Sequence, residues 1–443
     1  MLIAVPAETE QNEGRVAATP ETVKKFLGLG AEVVVQSGAG LRSGLTDADY
    51  TEAGARIAAT SEETLSGADV VLKVRRPSVT ELPLIKRGAL VIAVLDPYGD
   101  DAAVRSWADA GISAFSMEFM PRITRAQVMD VLSSQANLAG YRAVIDAAAE
   151  YGRALPMMMT AAGTVPAARA LVMGAGVAGL QAIATARRLG AVVSATDVRP
   201  AAKEQVASLG AKFIAVEDEE FKAAETAGGY AKEMSKEYQA KQAALTAEHI
   251  AKQDIVITTA LIPGRPAPKL VSAAMVASMK PGSVIVDLAV ERGGNVEGAV
   301  PGKVVTTAND VRIVGHLNVP GRVSASSSLL YAKNLYAFVE TLVDKETRTL
   351  KVNPEDELVK ATLLTHEGRI VHPNFAAVKA DAASATAKAA AAPKAAAAPK
   401  ATAPKAAAPK AAAPKKPAAK ASAKKPRAAK ATTDKATTGK GGA

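Results

Sequence analysis

The stretch Ala170-Leu-Val-Met-Gly174-Ala-Gly176-Val-Ala-Gly179-Leu-Gln-Ala-Ile places a G-x-G-x-x-G motif at the end of an apolar strand and the start of a helix. In that context the first glycine allows a tight turn, the second lets backbone amides approach a pyrophosphate, and the third permits close helix–strand packing. The next predicted strand ends in an acid eighteen residues after Gly179, where ribose hydroxyls would bind. The pattern predicts a dinucleotide site that includes Gly174, Gly176, Val177, Gly179, Asp197, Val198 and Arg199.

Two charged residues bear on which dinucleotide is bound. The carboxylate of Asp197 accepts hydrogen bonds from a free 2′-hydroxyl and repels a 2′-phosphate, which favours NAD(H) over NADP(H). Arg199 has two interpretations: it pairs with a 2′-phosphate, or it is a solvated side chain at the start of a helix.

Strand-like and helix-like patterns alternate along the chain, which predicts an α/β protein with two Rossmann-like doubly wound parallel sheets. The predicted strands are Leu2 to Pro6, Glu32 to Gln36, Asp69 to Val74, Leu90 to Leu95 and Ile112 to Ser116, then a second series from Ala170 through Asp197, Ala211 to Val216, Asp254 to Thr259, Ser283 to Ala289 and Arg312 to Val314. A long interdomain helix is predicted from Met129 to Tyr151, and a closing hairpin from Leu363 to Pro373. We expect residues 1–132 with 325–375 to form an N-terminal domain, and residues 133–324 to form the NAD(H)-binding domain.

Charge and composition separate the tail from the rest of the chain. The net charge of +10 divides into +13 for residues 376–443 and −3 for the remainder. The tail consists mainly of Ala, Lys and Pro, has no large apolar side chain to bury beyond its start, and is predicted to be disordered. Cysteine is absent and the four histidines have no metal-binding spacing, so no metal site is expected. The short apolar runs and the acidic N-terminus predict a cytoplasmic protein that does not span a membrane.

Two other segments are placed near a bound dinucleotide. The turn Thr258-Thr-Ala-Leu-Ile-Pro-Gly264 follows a predicted strand, which puts Thr259, Ala260 and Leu261 outside the carboxyl end of the sheet. The polar stretch between Lys222 and Ile250 contains Gly228-Gly229 and is predicted to be a mobile surface loop. By contrast, Met157-Met158-Met159 is expected to fill the core.

The segment from Met120 to Gln135 concentrates polar residues at one junction between a loop and a helix. Its side chains could hydrogen-bond a carboxamide and a ribose in a cleft between domains, or they could cap the helix and form interdomain ion pairs. Composition alone favours the capping interpretation. The candidates in this segment are Arg122, Gln127, Asp130 and Ser133.

From Met1 to about Pro373 the chain resembles the soluble NAD(H)-binding component of proton-translocating nicotinamide nucleotide transhydrogenases. The matching motifs are Arg15-Val-Ala-Ala-Thr-Pro20, Pro121-Arg-Ile-Thr-Arg-Ala-Gln127 with Asp130 and Ser133, Ala139-Gly-Tyr-Arg-Ala, the glycine motif, Gly228-Gly229-Tyr230-Ala-Lys-Glu-Met and Thr258-Thr-Ala-Leu-Ile-Pro-Gly. The resemblance implies a homodimer with NAD(H) in the cleft between two Rossmann-like domains. It implies that Arg122, Gln127, Asp130 and Ser133 contact the nicotinamide end, the first three as catalytic residues, and that Gly229 and Tyr230 lie on a loop that closes over the nucleotide.

The same resemblance implies the reaction and the partners. Hydride would pass directly from NADH to NADP⁺ held on a partner subunit, coupled to proton translocation through a membrane-spanning subunit. The chain would then lie on the cytoplasmic face of the inner membrane. Direct transfer requires two nicotinamide rings in contact with water excluded, and needs no protein acid or base.

Two alternatives remain. The related alanine dehydrogenases use NAD⁺ to oxidise an amino acid, and Arg15 and Lys73 match the positions that hold the substrate there. That activity also needs a histidine after the strand around Ala93, and this chain has no histidine before residue 249. In the second alternative the lysine-rich tail binds nucleic acid, although it lacks aromatic residues for base stacking, or it lies on an anionic membrane surface. The composition favours a third interpretation, in which the tail is a solvated extension that increases solubility.

Overall fold

The computed structural model describes residues 1–223, 234–262, 264–375 and 377. In chain order the strands are β1 Leu2–Val5, β2 Glu32–Gln36, β3 Arg56–Ala58, β4 Val70–Arg75, β5 Leu90–Val94, β6 Ser113–Ser116, β7 Met158–Thr160, β8 Gly163–Val165, β9 Arg169–Met173, β10 Val192–Thr196, β11 Lys212–Phe213, β12 Ile255–Thr258, β13 Val284–Asp287, β14 Val304–Thr306, β15 Arg312–Val314, β16 Val343–Asp344, β17 Thr349–Leu350, β18 Leu363–His366 and β19 Arg369–Ile370. The helices are α1 Pro20–Gly28, α2 Asp47–Glu52, α3 Ser61–Leu65, α4 Asp101–Ala110, α5 Val131–Glu150, α6 Val177–Arg188, α7 Ala202–Ser208, α8 Glu219–Lys222, α9 Lys236–Ile250, α10 Ala273–Ser278, α11 Ser324–Thr341 and α12 Glu357–Thr362.

The first sheet has the order β19-β18-β6-β5-β4-β1-β2-β3. Its strands β1 to β6 are parallel, and β18 joins β6 in the antiparallel sense, so the end of the fold completes the sheet begun at the N-terminus. The hairpin of β18 and β19 confirms the predicted closing hairpin. Helix α1 begins as its sequence indicates, because Thr19 caps it and Pro20 occupies its first turn.

The second sheet has the order β11-β10-β9-β12-β13-β15-β14. All neighbouring strands are parallel except for the edge strand β14. Counting from β9, the parallel strands follow the order 3-2-1-4-5-6 of a doubly wound dinucleotide-binding fold. The predicted α/β class with two Rossmann-like sheets is therefore confirmed.

The long helix α5 packs against α6, and small residues on its inner face allow the close approach. Ala143 and Ala147 are fully buried in the core of the second sheet. A Cβ atom on Gly140 would lie 2.0 Å from the carbonyl oxygen of Ala178, so only glycine fits there. No helix in the described part of the chain is long and apolar enough to cross a membrane.

One prediction about local structure is wrong. Met157, Met158 and Met159 are 63, 44 and 77 % exposed, because they enter a two-stranded hairpin of β7 and β8 that projects from the core. The predicted loop, residues 224–235, falls almost wholly on residues 224–233, and after it helix α9 begins at a Ser235 cap and buries Tyr238. Residues 224–233, and the tail apart from Ala377, lie outside the described residues.

Candidate functional site

The glycine motif forms a tight turn between β9 and α6. Gly174 has a φ of +103°, and a Cβ atom there would lie 2.5 Å from the Thr259 hydroxyl. A Cβ atom on Gly179 would lie 1.8 Å from the carbonyl oxygen of Gly174, so this residue sets the closest approach of helix to strand. A Cβ atom on Gly176 would meet no atom within 4 Å. The motif therefore combines two crowded positions with one that borders open space.

The start of helix α6 has the chemistry of an anion site. Its N-cap residue is Gly176, which has no side chain to cap the first amides of the helix. A helix of 12 residues carries a partial positive charge at this end, and exposed amides at such a terminus bind phosphate groups. Val177 is 42 % exposed at the same point. The open space at Gly176 and these amides fit the pyrophosphate of a dinucleotide.

Asp197 lies beside this turn, and its carboxylate is fully occupied by protein donors. One oxygen accepts hydrogen bonds from the Arg199 amide and Nε, both at 2.9 Å. The other accepts from the Ala175 amide at 2.7 Å and from the Arg199 Nη2 at 3.0 Å. Arg199 is therefore an ion-pair partner of Asp197, which neither interpretation from the sequence included. A ribose that binds to Asp197 must replace donors of this guanidinium, because a carboxylate offers about four acceptor positions.

Two buried polar residues, whose structural role was not predicted from the sequence, hold the loops after β12 and β13. Asn295 is fully buried, accepts from the Ala260 amide at 3.0 Å and donates to the Ala260 carbonyl at 2.9 Å. Asp287 is also fully buried and accepts from the amides of Ala289 and Val296. Leu261 remains 51 % exposed beside the glycine turn. The one available signal was an acid at the end of an apolar strand, the motif Val284-Ile-Val-Asp287.

At the start of α5, capping takes place as the second interpretation predicted. Asp130 accepts from the Ser133 amide at 2.9 Å and from its hydroxyl at 2.5 Å. Arg125 forms an ion pair with Asp356 at 2.5 Å. Arg122 and Gln127 are exposed on the same short segment, and Val128 beside them is 65 % exposed. Capping fixes the Asp130 carboxylate in place, while Arg122 and Gln127 lie on the surface where a ligand can reach them.

The directions of α5 and α6 place this segment relative to the glycine turn. The last carbonyl of α5, at Glu150, accepts a hydrogen bond from Arg312, the first residue of β15. Helix α5 therefore ends at the amino edge of the second sheet, and it begins, as α6 does, at the carboxyl edge. Gly140 lies beside Ala178 at the start of α6, so the ten residues back to Asp130 extend about 15 Å beyond the glycine turn.

Buried charged residues lie at the carboxyl edge of the first sheet, and one of them contacts the start of α5. Arg15 is 6 % exposed and bonds to Glu13 at 2.6 Å, to Gln135 at 2.8 Å and to Asn318 at 3.1 Å. Burial alone would raise the pKa of Glu13, but the hydrogen bonds and charge of Arg15 and the charge of Arg75 outweigh it and lower the pKa to about 2. Every nitrogen of the Arg15 guanidinium thus has a protein partner.

Lys73 is the second buried cation at this edge. It is 1 % exposed, bonds to Glu81 at 2.9 Å and lies 3.4 Å from Glu8. Burial lowers the pKa of Lys73, but the charges of Glu8 and Glu81 outweigh it and raise the pKa. Burial raises the pKa of Glu8 to about 7, although Lys73 acts in the opposite direction. The two cations that an amino-acid substrate would need are therefore already paired with protein carboxylates.

Comparison with known proteins identifies the family. The family models described as "Alanine dehydrogenase/PNT, N-terminal domain" and "Alanine dehydrogenase/PNT, C-terminal domain" match residues 4–139 and 143–373. An NAD(P) transhydrogenase alpha-subunit protein of Rhodospirillum rubrum is 58 % identical over 378 residues, which cover 84 % of this chain and 98 % of that protein. The chain belongs to the NAD(P) transhydrogenase alpha-subunit family. This confirms the resemblance drawn from the motifs.

Two further proteins allow the transhydrogenases to be compared with the alanine dehydrogenases. A transhydrogenase structure from Sinorhizobium meliloti is 66 % identical, with a TM-score of 0.77, and the match covers 84 % of this chain and all of that chain. The "Alanine dehydrogenase" of Mycobacterium tuberculosis is 31 % identical over 387 residues, which cover 85 % of this chain and 96 % of that protein. The transhydrogenase relatives are thus much nearer in sequence, while the dehydrogenase shares the two-domain layout.

Proposed function

We propose that this chain is the NAD(H)-binding subunit of a proton-translocating NAD(P) transhydrogenase, and that it transfers hydride from NADH to NADP⁺ held on a partner subunit. The observation that carries the proposal is the joint placement of two segments at one sheet edge. The open glycine turn at Gly176 and the polar start of α5 at Asp130 lie about 15 Å apart along the helix axis. With the pyrophosphate at the glycine turn, the nicotinamide half of the dinucleotide would extend from the turn toward the start of α5, and the adenosine half toward Asp197.

In this proposal each group of residues holds one part of the nucleotide. The amides at the start of α6 bind the pyrophosphate, with Gly174, Gly176, Val177 and Gly179 forming the turn. Asp197, Val198 and Arg199 surround the adenosine ribose, and Thr259, Ala260 and Leu261 line the same edge. Gly229 and Tyr230 are proposed to cover the nucleotide, and they lie outside the described residues.

The chain's contribution to the chemistry is position. Bound NADH supplies the hydride. Arg122, Gln127 and Asp130, with Ser133, hold the nicotinamide ring by its carboxamide and ribose and fix its distance from the acceptor ring. Asp130 is suited to this task because its own cap bonds to Ser133 already fix its carboxylate. A fixed ring geometry with water excluded accounts for catalysis without an acid or base.

The proposal includes the assembly around the subunit. The NADP(H)-binding and membrane-spanning subunits are the partners, transfer has the Re/Si stereospecificity of coupled transhydrogenases, and the chain lies on the cytoplasmic face of the membrane through those partners. A homodimer is supported by the projecting hairpin, where Met157, Met159 and Val165 are exposed. Apolar side chains in such a hairpin are typical of an interface. The lysine-rich tail is proposed to contact anionic lipid or nucleic acid.

Alanine dehydrogenase activity is the second candidate, favoured by the presence of Arg15 and Lys73. The pairing of both cations with Glu13, Glu81 and Glu8 argues against it, because a substrate carboxylate would have to displace a buried ion pair. Asp96, in the loop after β5, forms an ion pair with Arg292. This pair joins the loop after β5, in the first sheet, to the loop after β13, in the second sheet.

The deciding experiment measures hydride transfer from NADH to an NADP⁺ analogue. The purified chain is assayed alone and with membranes that carry the partner subunits, and NAD⁺ with L-alanine serves as the comparison. We expect transfer only when the partners are present. Oxidation of alanine together with no transfer in the reconstituted system would overturn the proposal.

A variant series tests the positioning role. Arg122→Ala and Asp130→Asn should slow hydride transfer at saturating NADH by about 100-fold or more, while the Kd for NADH changes by less than about threefold. Asparagine still caps a helix, so Asp130→Asn removes the charge and keeps the fold. Arg125→Ala is the matched control, since Arg125 lies on the same segment but pairs with Asp356. Equal losses of rate and affinity would contradict the assigned role.

A further inference from the structure

A cavity of about 460 Å³ lies at the amino edge of the second sheet, away from the glycine turn. Arg169, the first residue of β9, lines it, whereas Gly174 follows the last residue of the same strand. A strand of five residues spans about 17 Å, so the cavity and the glycine turn lie at opposite ends of β9. A ligand in this cavity would therefore be separate from the dinucleotide.

The walls of the cavity differ in character. The aromatic and apolar part of the lining is Tyr151 with the segment Val165, Pro166 and Ala167. The charged part consists of four cationic side chains and one acid, namely Arg153, Arg169, Lys252, Lys280 and Asp254. The cavity thus combines an aromatic and apolar wall with an excess of positive charge.

The ion pairs around the cavity do not include its two arginines, of which Arg153 hydrogen-bonds the Tyr151 side chain. Lys280 pairs with Asp254 at 3.2 Å, and Lys252 pairs with Glu248 at 2.7 Å. Among the residues that the structure describes, no carboxylate lies within ion-pairing distance of the Arg153 or Arg169 guanidinium. The bond from Arg169 to Asp254 comes from the Arg169 backbone amide, at 2.8 Å, and not from its guanidinium. The net positive charge at the cavity therefore comes from Arg153 and Arg169.

A neighbouring histidine lies within the field of the same cations. His249 bonds to the Ser194 hydroxyl at 2.8 Å, one strand away from the cavity. Burial lowers the pKa of His249, and the positive charges of Lys212, Lys252 and Arg169 lower it further. The same field that disfavours a protonated imidazole favours a bound anion.

We propose that this cavity binds a small phosphate-bearing compound, with its phosphoryl oxygens on Arg153 and Arg169 and its remaining atoms against Tyr151 and Pro166. Guanidinium groups form paired hydrogen bonds with phosphoryl oxygens, and two of them match a diphosphate better than a single carboxylate. The volume lies within the range of small-molecule sites. The site would lie at the amino edge of the second sheet, opposite the edge proposed to bind the nucleotide.

The test is calorimetric titration of the full chain with inorganic pyrophosphate at low salt, with and without saturating NADH. Pyrophosphate at the glycine turn would be displaced by NADH, whereas pyrophosphate in the cavity would not. We expect saturable binding that persists with NADH and weakens at least about tenfold in the R153A/R169A double variant. The R56A/R369A double variant removes the same charge from exposed positions of the first sheet and should bind as the wild type does.

Two results would overturn the site. The first is the absence of saturable binding at millimolar pyrophosphate once NADH is present. The second is equal affinity in the two double variants, which would mean that pyrophosphate responds to net charge alone. Melting temperatures equal to that of the wild type would show that both double variants are folded. Because the variants are compared with and without NADH, failure of NADH binding itself is detected separately.

Discussion

The carboxyl edges of the two sheets share one architecture but are lined by different groups, ion-paired side chains at the first and glycines with backbone amides at the second. At the first edge, buried side chains neutralise each other, Glu13 with Arg15 and Lys73 with Glu81. At the second edge, glycines leave backbone amides beside open space, as at Gly176. Ligands of such sheets bind outside the carboxyl ends of the strands, so either edge is a candidate site by topology.

The two edges have equivalent positions in the fold, so position does not distinguish them. They differ in whether their polar groups already have protein partners or are available to a ligand. A cation that already has carboxylate partners gains little from an arriving anion, since the buried pair must first be broken. Amides at a helix start have no such competitor. In the proposed function, the first edge therefore has a structural role, and the second edge receives the nucleotide.

The largest effect on NADH binding should come from adding a side chain to the glycine turn at the second edge. Gly179→Ala places a Cβ atom 1.8 Å from the carbonyl oxygen of Gly174, so the strand and helix must separate and the phosphate turn is distorted. We expect NADH affinity to fall by about 1000-fold or more, measured by fluorescence titration, which corresponds to about 4 kcal/mol. Gly28→Ala is the control, because a Cβ atom there meets nothing within 4 Å.

The control variant is expected to bind NADH normally and to be slightly more stable than the wild type, by up to about 1 kcal/mol. Retention of NADH binding in Gly179→Ala would show that the turn tolerates a side chain. The glycine motif would then not be the element that distinguishes the second edge.

The next effect concerns the first edge. Glu13→Gln removes a carboxylate that is fully buried between Arg15 and Arg75, and leaves both cations short of a counter-charge. A pKa of about 2, against the ordinary 4.5, corresponds to about 3 kcal/mol of unfolding free energy at pH 7. We expect that loss in urea denaturation, with the Kd for NADH nearly unchanged.

The pH dependence of the same variant gives an independent check. A carboxyl group with a lowered pKa stabilises the fold above its unfolded value, and that contribution is lost as the pH falls from about 4.5 through about 2. The stability gap between wild type and Glu13→Gln should therefore shrink by about half at pH 3.5. A gap that stays constant between pH 7 and pH 3.5 would mean that the charge of Glu13 is not its source.

Much of this architecture is readable in the sequence because local pattern and tertiary structure agree. Runs of β-branched residues gave β2 and β5 to within one residue, and the small residues at helical spacing gave α5. The glycine motif could be located because its strand and helix flank it directly. The strands β3 and β14 at the ends of their sheets were missed, although the equally short β15 was predicted, because both are less buried than β15 and lack its apolar pattern.

The remaining features depend on which side chains meet in three dimensions. Met157 to Met159 have an apolar composition that is typical of a core, and composition does not reveal that their hairpin projects outward. The spacing of Asp197 and Arg199 allows either side chain to face a ligand, and only the folded turn brings the guanidinium onto the carboxylate. Asn295 holds Ala260 from 35 residues away, which no local pattern reports.

The smallest effect tests the charge pair of Asp197 and Arg199 at the second edge. Asp197→Asn keeps an acceptor for the Ala175 amide but removes the charge that holds Arg199 and repels a 2′-phosphate. With Arg199 released, the preference for NADH over NADPH should fall about tenfold, or about 1.4 kcal/mol, when the two Kd values are compared. Asp100→Asn is the matched control, since Asp100 pairs with Arg76 at 2.8 Å outside this edge. An unchanged preference for NADH in Asp197→Asn would mean that the Asp197–Arg199 pair is structural, like the ion pairs of the first edge. The contrast between the two edges would then depend on the glycine turn alone.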